Sequence, residues 1–282
     1  MAGSPTARRR RLAIELKKLR DDHQLTCNEV GKALDWSGSK VNRLETGSGR
    51  VQPSDIDALC RYYGTADELR EFLMRLAKES KVRGWWHAHG SAVPPWFSSY
   101  VGLEQEASSL RQYQCEFVPG LMQTAAYAAE LHRASGRLEG EELERHVNVR
   151  MARQQILHRE APPDLWAIVH ESVLRHIVGG RELMQAQLEY MLLSSQLKNV
   201  TLQVLPFDAG TYPATGAFTI LGFPEQADPD VVYRDGLTDA VYLETPDGVS
   251  QYAKAFDSMR SIASSPPQSA QLIKRILKEY SQ

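Results

Sequence analysis

No stretch of the 282-residue chain stays apolar for the roughly 20 residues that a bilayer-crossing helix needs. Its basic start leads into an amphipathic helix, with no hydrophobic leader segment. A cytoplasmic protein, associated with the nucleoid and not with a membrane, is the expectation. Cysteine is scarce: Cys27, Cys60 and Cys115 are odd in number and far apart, which argues against a disulfide framework or a zinc site and suits a reducing compartment. Catalytic signatures are missing as well. Ser194-Ser195 has no glycine elbow, no glycine-rich phosphate loop follows a strand, HExxH does not occur, and His170-Glu171 has no visible partner to position it as a base. His87 and His89 have no Cys, Asp or Glu close by in the chain to complete a metal site. The expectation is therefore no enzyme, no cofactor and no metal.

A hydrophobic fraction of 42% and a charged fraction of 24% are those of an ordinary folded protein, and the length suits two domains. The net charge of −2 conceals an asymmetry. Residues 1–50 hold 11 Lys and Arg against 6 Asp and Glu, whereas the remaining 232 hold 22 against 29. A polyanion partner is expected at the N-terminal end only.

Residues 26–47, TCNEVGKALDWSGSKVNRLETG, read as two short helices and a tight turn. Thr26 and Glu29 have capping-box spacing, and Val30, Ala33 and Leu34 supply an inward stripe before Asp35-Trp36 interrupts it. Ser37 caps a second helix whose inward pair is Val41 and Leu44, and Gly47 ends it. Its outer surface carries Ser39, Lys40, Asn42 and Arg43, all hydrogen-bonding groups and none of them long and apolar. Before it, Arg8, Arg9, Arg10 and Arg11 form a cationic run, read equally as a solvated face or as phosphate contacts. After it, Pro53 and residues 66–81 open and complete a fourth and fifth helix.

Residues 12–64 resemble the lambda-repressor-like helix-turn-helix domain of the XRE family, in the first helix, the helical pair, the LETG ending and the Pro53-Ser54 helix start. In that family the second helix of the pair lies in the DNA major groove. The resemblance places Ser37, Ser39 and Arg43 at base edges, Lys40 and Asn42 on the flanking backbone, and Arg50 in a backbone-contacting loop, with Thr26 and Arg8 to Arg11 as further DNA-binding candidates. Gly38 departs from the pattern, because at a base-facing position it has no side chain.

Residues 81–99, with Trp85, Trp86, Trp96 and a Pro-Pro pair, read as a linker between a domain at 1–80 and one at 100–282. Its tryptophans are expected to pack against the second domain or a twin subunit. Residues 104–117 and 119–135 carry helical spacing, and the helix across 141–159 shows an apolar stripe of Leu143, Val147, Met151 and Ile156. Residues 164–170, 200–205, 217–223, 231–234 and 240–243 read as strands, and 182–197, 247–263 and 269–280 as helices. The close spacing of the later strands predicts a small, mostly antiparallel sheet with helices on one face. The fold class expected is thus mainly α: a five-helix N-terminal domain followed by an α+β domain.

The segment FVPGLMQT with Tyr127, the run Arg150 to Gln154, LWAIVHESVLRHIVGG and the strands after it resemble, in order, the C-terminal domain of actinobacterial regulators of the WhiJ type. The resemblance implies a regulator, repressor-like, that commonly occurs with a small partner protein encoded beside it. Gln123, Tyr127, Arg150 and Arg153, with Phe207, Asp208 and Tyr212 from the long loop 206–216, are the candidate partner or effector site. Taken by themselves, Arg150 and Arg153 read first as ordinary surface charge, and the loop reads equally as a structural connection. A helix reads only a few base pairs, so a homodimer on a palindromic double-stranded operator is expected. A small-molecule effector is the alternative to the protein partner.

Overall fold

Capping chemistry sets the N-terminal helices. The computed structural model describes residues 5–81, 84–136, 138–213, 216–224, 228–236 and 238–280. The chain divides into two compact units, Met1–His87 and Ala88–Gln282. The first contains helices α1 (Pro5–Asp22), α2 (Cys27–Ala33), α3 (Gly38–Glu45), α4 (Pro53–Tyr62) and α5 (Asp67–Glu79). The Thr26 box forms as expected, with Thr26 N–H donating to Glu29 Oε2 at 2.7 Å and Glu29 N–H donating to Thr26 Oγ at 3.2 Å. Between α2 and α3, Asp35 takes a left-handed backbone (φ 56°), which a short polar side chain tolerates, and Trp36 N–H returns to Gly31 O at 2.7 Å. Leu12 and Leu16, Val30, Val41 and Leu44, Ile56 and Leu59, and Leu73 form one buried cluster drawn from all five helices. Each such side chain contributes about 1.5–3 kcal/mol when fully buried.

The stretch read as a linker is partly structured: Trp85–Ala92 is a 3-10 segment broken at Gly90 (φ 56°), and Trp86 is buried. The second unit follows as α6 (Pro95–Glu106), β1 (Ser109–Gln114), α7 (Ala125–Gly136), α8 (Gly140–Gln154), β2 (Asp164–His170), α9 (Glu171–Arg175), α10 (Arg181–Ser194), β3 (Val200–Leu205), β4 (Phe218–Gly222), β5 (Val231–Asp235), β6 (Ala240–Leu243), α11 (Pro246–Ile262) and α12 (Pro266–Tyr280). These form one six-stranded sheet in the order β3-β2-β1-β4-β5-β6.

The sheet is mixed, which corrects the mostly antiparallel expectation. β1, β2 and β3 are mutually parallel, and β4, β5 and β6 continue antiparallel from β1. Two departures account for this. Residues 109–114, SLRQYQ, read as part of a helix but form the strand at the centre of the sheet. The segments joining β1 to β2 and β2 to β3 carry helices α7 to α10, long enough for the crossovers that parallel pairing requires. Helices also cover both faces, not one. Leu165, Ala167 and Val169 of β2 point into a core shared with α10 and α12, while Ile168 packs with Phe256 and Met259 of α11. The outer edge of β3 is covered where the α11–α12 turn reaches it, with Ser264 N–H on Val204 O (2.9 Å) and Val204 N–H on Ser269 Oγ (2.8 Å).

Candidate nucleic-acid interface

α3 buries Val41, Leu44 and Glu45 and exposes Ser39, Asn42 and Arg43. Ser37 is committed at the helix start, where its hydroxyl accepts from Lys40 N–H at 3.2 Å, and it remains exposed. A buried carboxylate holds the other end. Glu45 accepts from Arg20 Nε at 2.9 Å on both oxygens, and Arg20 Nη1 donates to Leu25 O at 2.7 Å, so α1 and the end of α3 are joined through one guanidinium. The hydrogen bonds and charge of Glu45 outweigh burial and hold the Arg20 pKa above its ordinary value. Sequence reasoning noted LETG as an ending and missed that its glutamate is an internal brace.

Close backbone approach fixes the angle between the two helices. A Cβ on Gly31 would lie 2.9 Å from Gly38 N and from Trp36 O, so only glycine lets α2 approach the turn and α3 this closely. Gly38 itself is shadowed by α2: a Cβ there would stand 1.9 Å from Asn28 Oδ1.

The cations sort into two kinds. Arg43, Arg50 and Arg9 are exposed, and the Arg9 stem runs beside Gly47, with Cγ 3.6 Å from where a Cβ would lie, at the C-terminal end of α3. Thr26 is also exposed at the start of α2. Others are occupied internally. The Lys40 ammonium sits 2.7 Å from Asp55 Oδ1 and 3.6 Å from the Trp36 ring centroid, which braces α3 against α4. Arg8 is buried against Glu79 (3.2 Å) and Arg11 is paired with Glu15 (2.7 Å), so the four-arginine run does not form one continuous solvated face. Helical periodicity turns its two ends inward. Arg10 is half-buried on the same helix.

In the second unit, three of the residues expected to bind a partner or effector, Gln123, Tyr127 and Arg150, take part in a clamp around residues 117–124. Gln123, 2% exposed, donates to Val118 O at 2.7 Å and accepts from Arg150 Nη1 at 3.0 Å. The fully buried Tyr127 hydroxyl accepts from Val118 N–H at 3.3 Å. Gln154 donates to Gly120 O and Gln123 O, and Gln187 accepts from Thr124 N–H and donates to Met122 O. A non-repetitive segment cannot pair its own backbone, so these amides satisfy it. The segment therefore makes only a 3-10 turn at Gly120–Met122, and the helix expected from residue 119 begins at Ala125.

Arg153 is not surface charge. It is 5% exposed and grips Glu104 with two bonds of 2.8 and 2.7 Å, its guanidinium lying 4.9 Å from the Phe97 ring and 5.3 Å from that of Tyr100. The buried face of α8 accordingly runs through Leu143, Val149, Arg153 and Gln154, and not along the apolar residues alone. Arg150 is half-buried with a neutral amide as its partner, and desolvation and then Arg153 lower its pKa to about 10.

Phe207, Asp208 and Tyr212 lie elsewhere, beyond the C-terminal ends of β2 and β3; residues 214 and 215 of their loop fall outside the described residues. Phe207 is 61% exposed, with its ring 5.3 Å from that of His170, and the Tyr212 hydroxyl accepts from Tyr113 at 3.2 Å. Asp208 is exposed. Nearby, Phe117 stacks on His176 and Ile177 is 49% exposed. Among the described residues, no hydrogen bond or ring contact joins the Phe207 group to the Gln123 group. Among the described residues, no group of three or more His, Cys, Asp or Glu is arranged to hold a metal ion, and no helix is long and apolar enough to cross a membrane.

A family model described as a helix-turn-helix domain, HTH_31, matches residues 11–73. A second, described as a domain of unknown function, DUF5753, matches residues 97–275, more than half of the chain. No curated protein and no solved structure gives a significant match.

Proposed function

We propose, starting from a chain that belongs to the DUF5753 family and carries a helix-turn-helix domain ahead of that domain, that the protein is a sequence-specific transcriptional regulator. The observation that carries this reading is the outer face of α3. Ser39, Asn42 and Arg43 are exposed side by side on a helix whose inner face is braced by Glu45 and Arg20. Side chains held rigidly on an exposed helix face suit base edges, and the exposed Arg9 and Arg50 suit phosphates.

The finer reading is a repressor of the WhiJ type: a cytoplasmic, nucleoid-associated homodimer on a palindromic operator, without cofactor or catalytic activity, whose second unit takes up a small protein. Exposed Phe207, Phe117 and Ile177 beside α9 offer that partner apolar area. The alternative, a small effector, draws on Arg150, a desolvated cation that donates to a neutral amide and suits an anionic group.

The test is operator recovery from genomic fragments followed by titration of two variants. Arg43→Ala is expected to cut the preference for operator over unrelated duplex by about 1–3 kcal/mol. Arg9→Ala is expected to weaken all sequences evenly and reduce the salt slope by about one. Equal losses on every sequence from both variants would remove Arg43 from the bases.

A further inference from the structure

Gly38 is the first residue of α3, the position from which a recognition helix addresses the groove, and it has no side chain to do so. The space its side chain would fill is taken. A Cβ built on Gly38 would lie 1.9 Å from Asn28 Oδ1 and 3.0 Å from Asn28 Cγ, so the carboxamide oxygen of Asn28 occupies that place. Asn28 sits in the first turn of α2, behind the Thr26 cap, and is exposed. Its amide makes no hydrogen bond within the described residues and is located by shape alone. Its oxygen is lodged against Gly38, and its two N–H donors remain for an outside group.

We propose that Asn28 is a specificity-determining residue. Delivered from α2 into the gap over Gly38, it reads a base edge that position 38 of α3 would otherwise read. A carboxamide N–H directed outward matches a base-edge acceptor such as N7 of a purine. The glycine is then part of the reading surface, since any larger residue at position 38 expels the amide. Arg43, five residues on along α3, reads separately. This inference rests on the DNA-reading proposal above and adds to it a residue outside the recognition helix.

The test uses the full chain and an operator selected by the wild-type protein from randomised duplex DNA. Wild type, Asn28→Ala, Gly38→Ala and the double variant are titrated at one salt concentration against the operator and all of its single-base-pair changes, and the operator titration is repeated across a salt series. Asn28→Ala is expected to flatten discrimination at one base pair by about 5- to 150-fold, leaving the other positions and the salt slope as in wild type. Gly38→Ala is expected to flatten the same position, and the double variant to be no worse than Asn28→Ala alone, because both remove one contact. An even loss on every sequence with a shallower salt slope would put Asn28 on a phosphate and overturn the proposal, as would an unchanged specificity profile. A wild-type protein that selects no sequence would instead overturn the DNA-reading proposal itself, and this inference with it. Asn28→Ala changes an exposed residue, so the outcome holds even if Gly38→Ala fails to fold.

Discussion

Replacing Glu104 by glutamine removes one side of a buried ion pair in the second unit. The carboxylate is 1% exposed and the Arg153 guanidinium 5%, so neither recovers hydration when the other is lost. In the wild type two bonds of 2.8 and 2.7 Å converge on the pair. The Phe97 and Tyr100 rings shield the guanidinium from water. In the wild type burial lowers the Arg153 pKa and Glu104 more than offsets that; without Glu104 the guanidinium, which does not lose its proton in proteins, stays charged and is left uncompensated. Breaking one side of such a pair costs about 3–5 kcal/mol, a large part of a domain's total of about 5–15 kcal/mol. Peptide-resolved hydrogen exchange on the full chain is the suitable assay, because a two-unit protein need not unfold in one step. Peptides from β1 and α8 should exchange some 10²- to 10³-fold faster or more, while those from α2 and α3 stay at wild-type rates. The Glu104→Leu, Arg153→Met pair should recover most of the loss, since removing both charges removes the desolvation cost as well. A change under fivefold for Glu104→Gln would mean that water reaches the pair and that burial has been misjudged.

Two further perturbations test the scaffold. Gly31→Ala places a methyl group 2.9 Å from backbone atoms on two sides, which cannot rotate away; urea unfolding followed through exchange of α2 and α3 peptides should show a loss of about 1–3 kcal/mol, confined to the first unit. In the second unit, burial first, then the charges of Arg150 and His146, lower the His132 pKa to about 4. The folded state then binds fewer protons than the unfolded chain between the ordinary histidine value near 6.5 and about 4. Its contribution is therefore present above pH 6.5 and lost as the pH falls toward 4. A urea-midpoint series over that window should decline for the wild type and less steeply for His132→Asn; parallel curves would exclude His132 as the titrating group.

The helical pair of the first unit was legible because its determinants are local. A capping box spanning four residues, a serine cap and the inward pair Val41 and Leu44 fall within one or two helical turns and form as read, whereas in the stripe expected of α2 Val30 is buried, Leu34 half-buried and Ala33 exposed. Strands β2 to β6 were legible for a similar reason, since short runs of β-branched and aromatic residues between turn residues have few other solutions. Only tertiary structure decided β1. SLRQYQ has three polar residues of high helix propensity, and it becomes a strand because β2 and β4 take up its backbone on both sides. With β1 unseen, the parallel half of the sheet could not be inferred. The near-continuous burial of β3 and β4 on both faces, the mark of a sheet covered twice, had no sequence context to attach to.

The candidate sites divide along the same line. Ser37, Ser39, Asn42 and Arg43 were readable because the exposure of a short helix follows its period. What surrounds a charge does not. Arg153 meets Glu104 from 49 residues away, Gln187 reaches Met122 across 65, and Lys40 finds Asp55 across a loop. Residue type along the chain reports what a side chain is able to do. Which partner removes it from solvent depends on contacts between distant segments, and those alone separated the residues that brace this protein from those it presents.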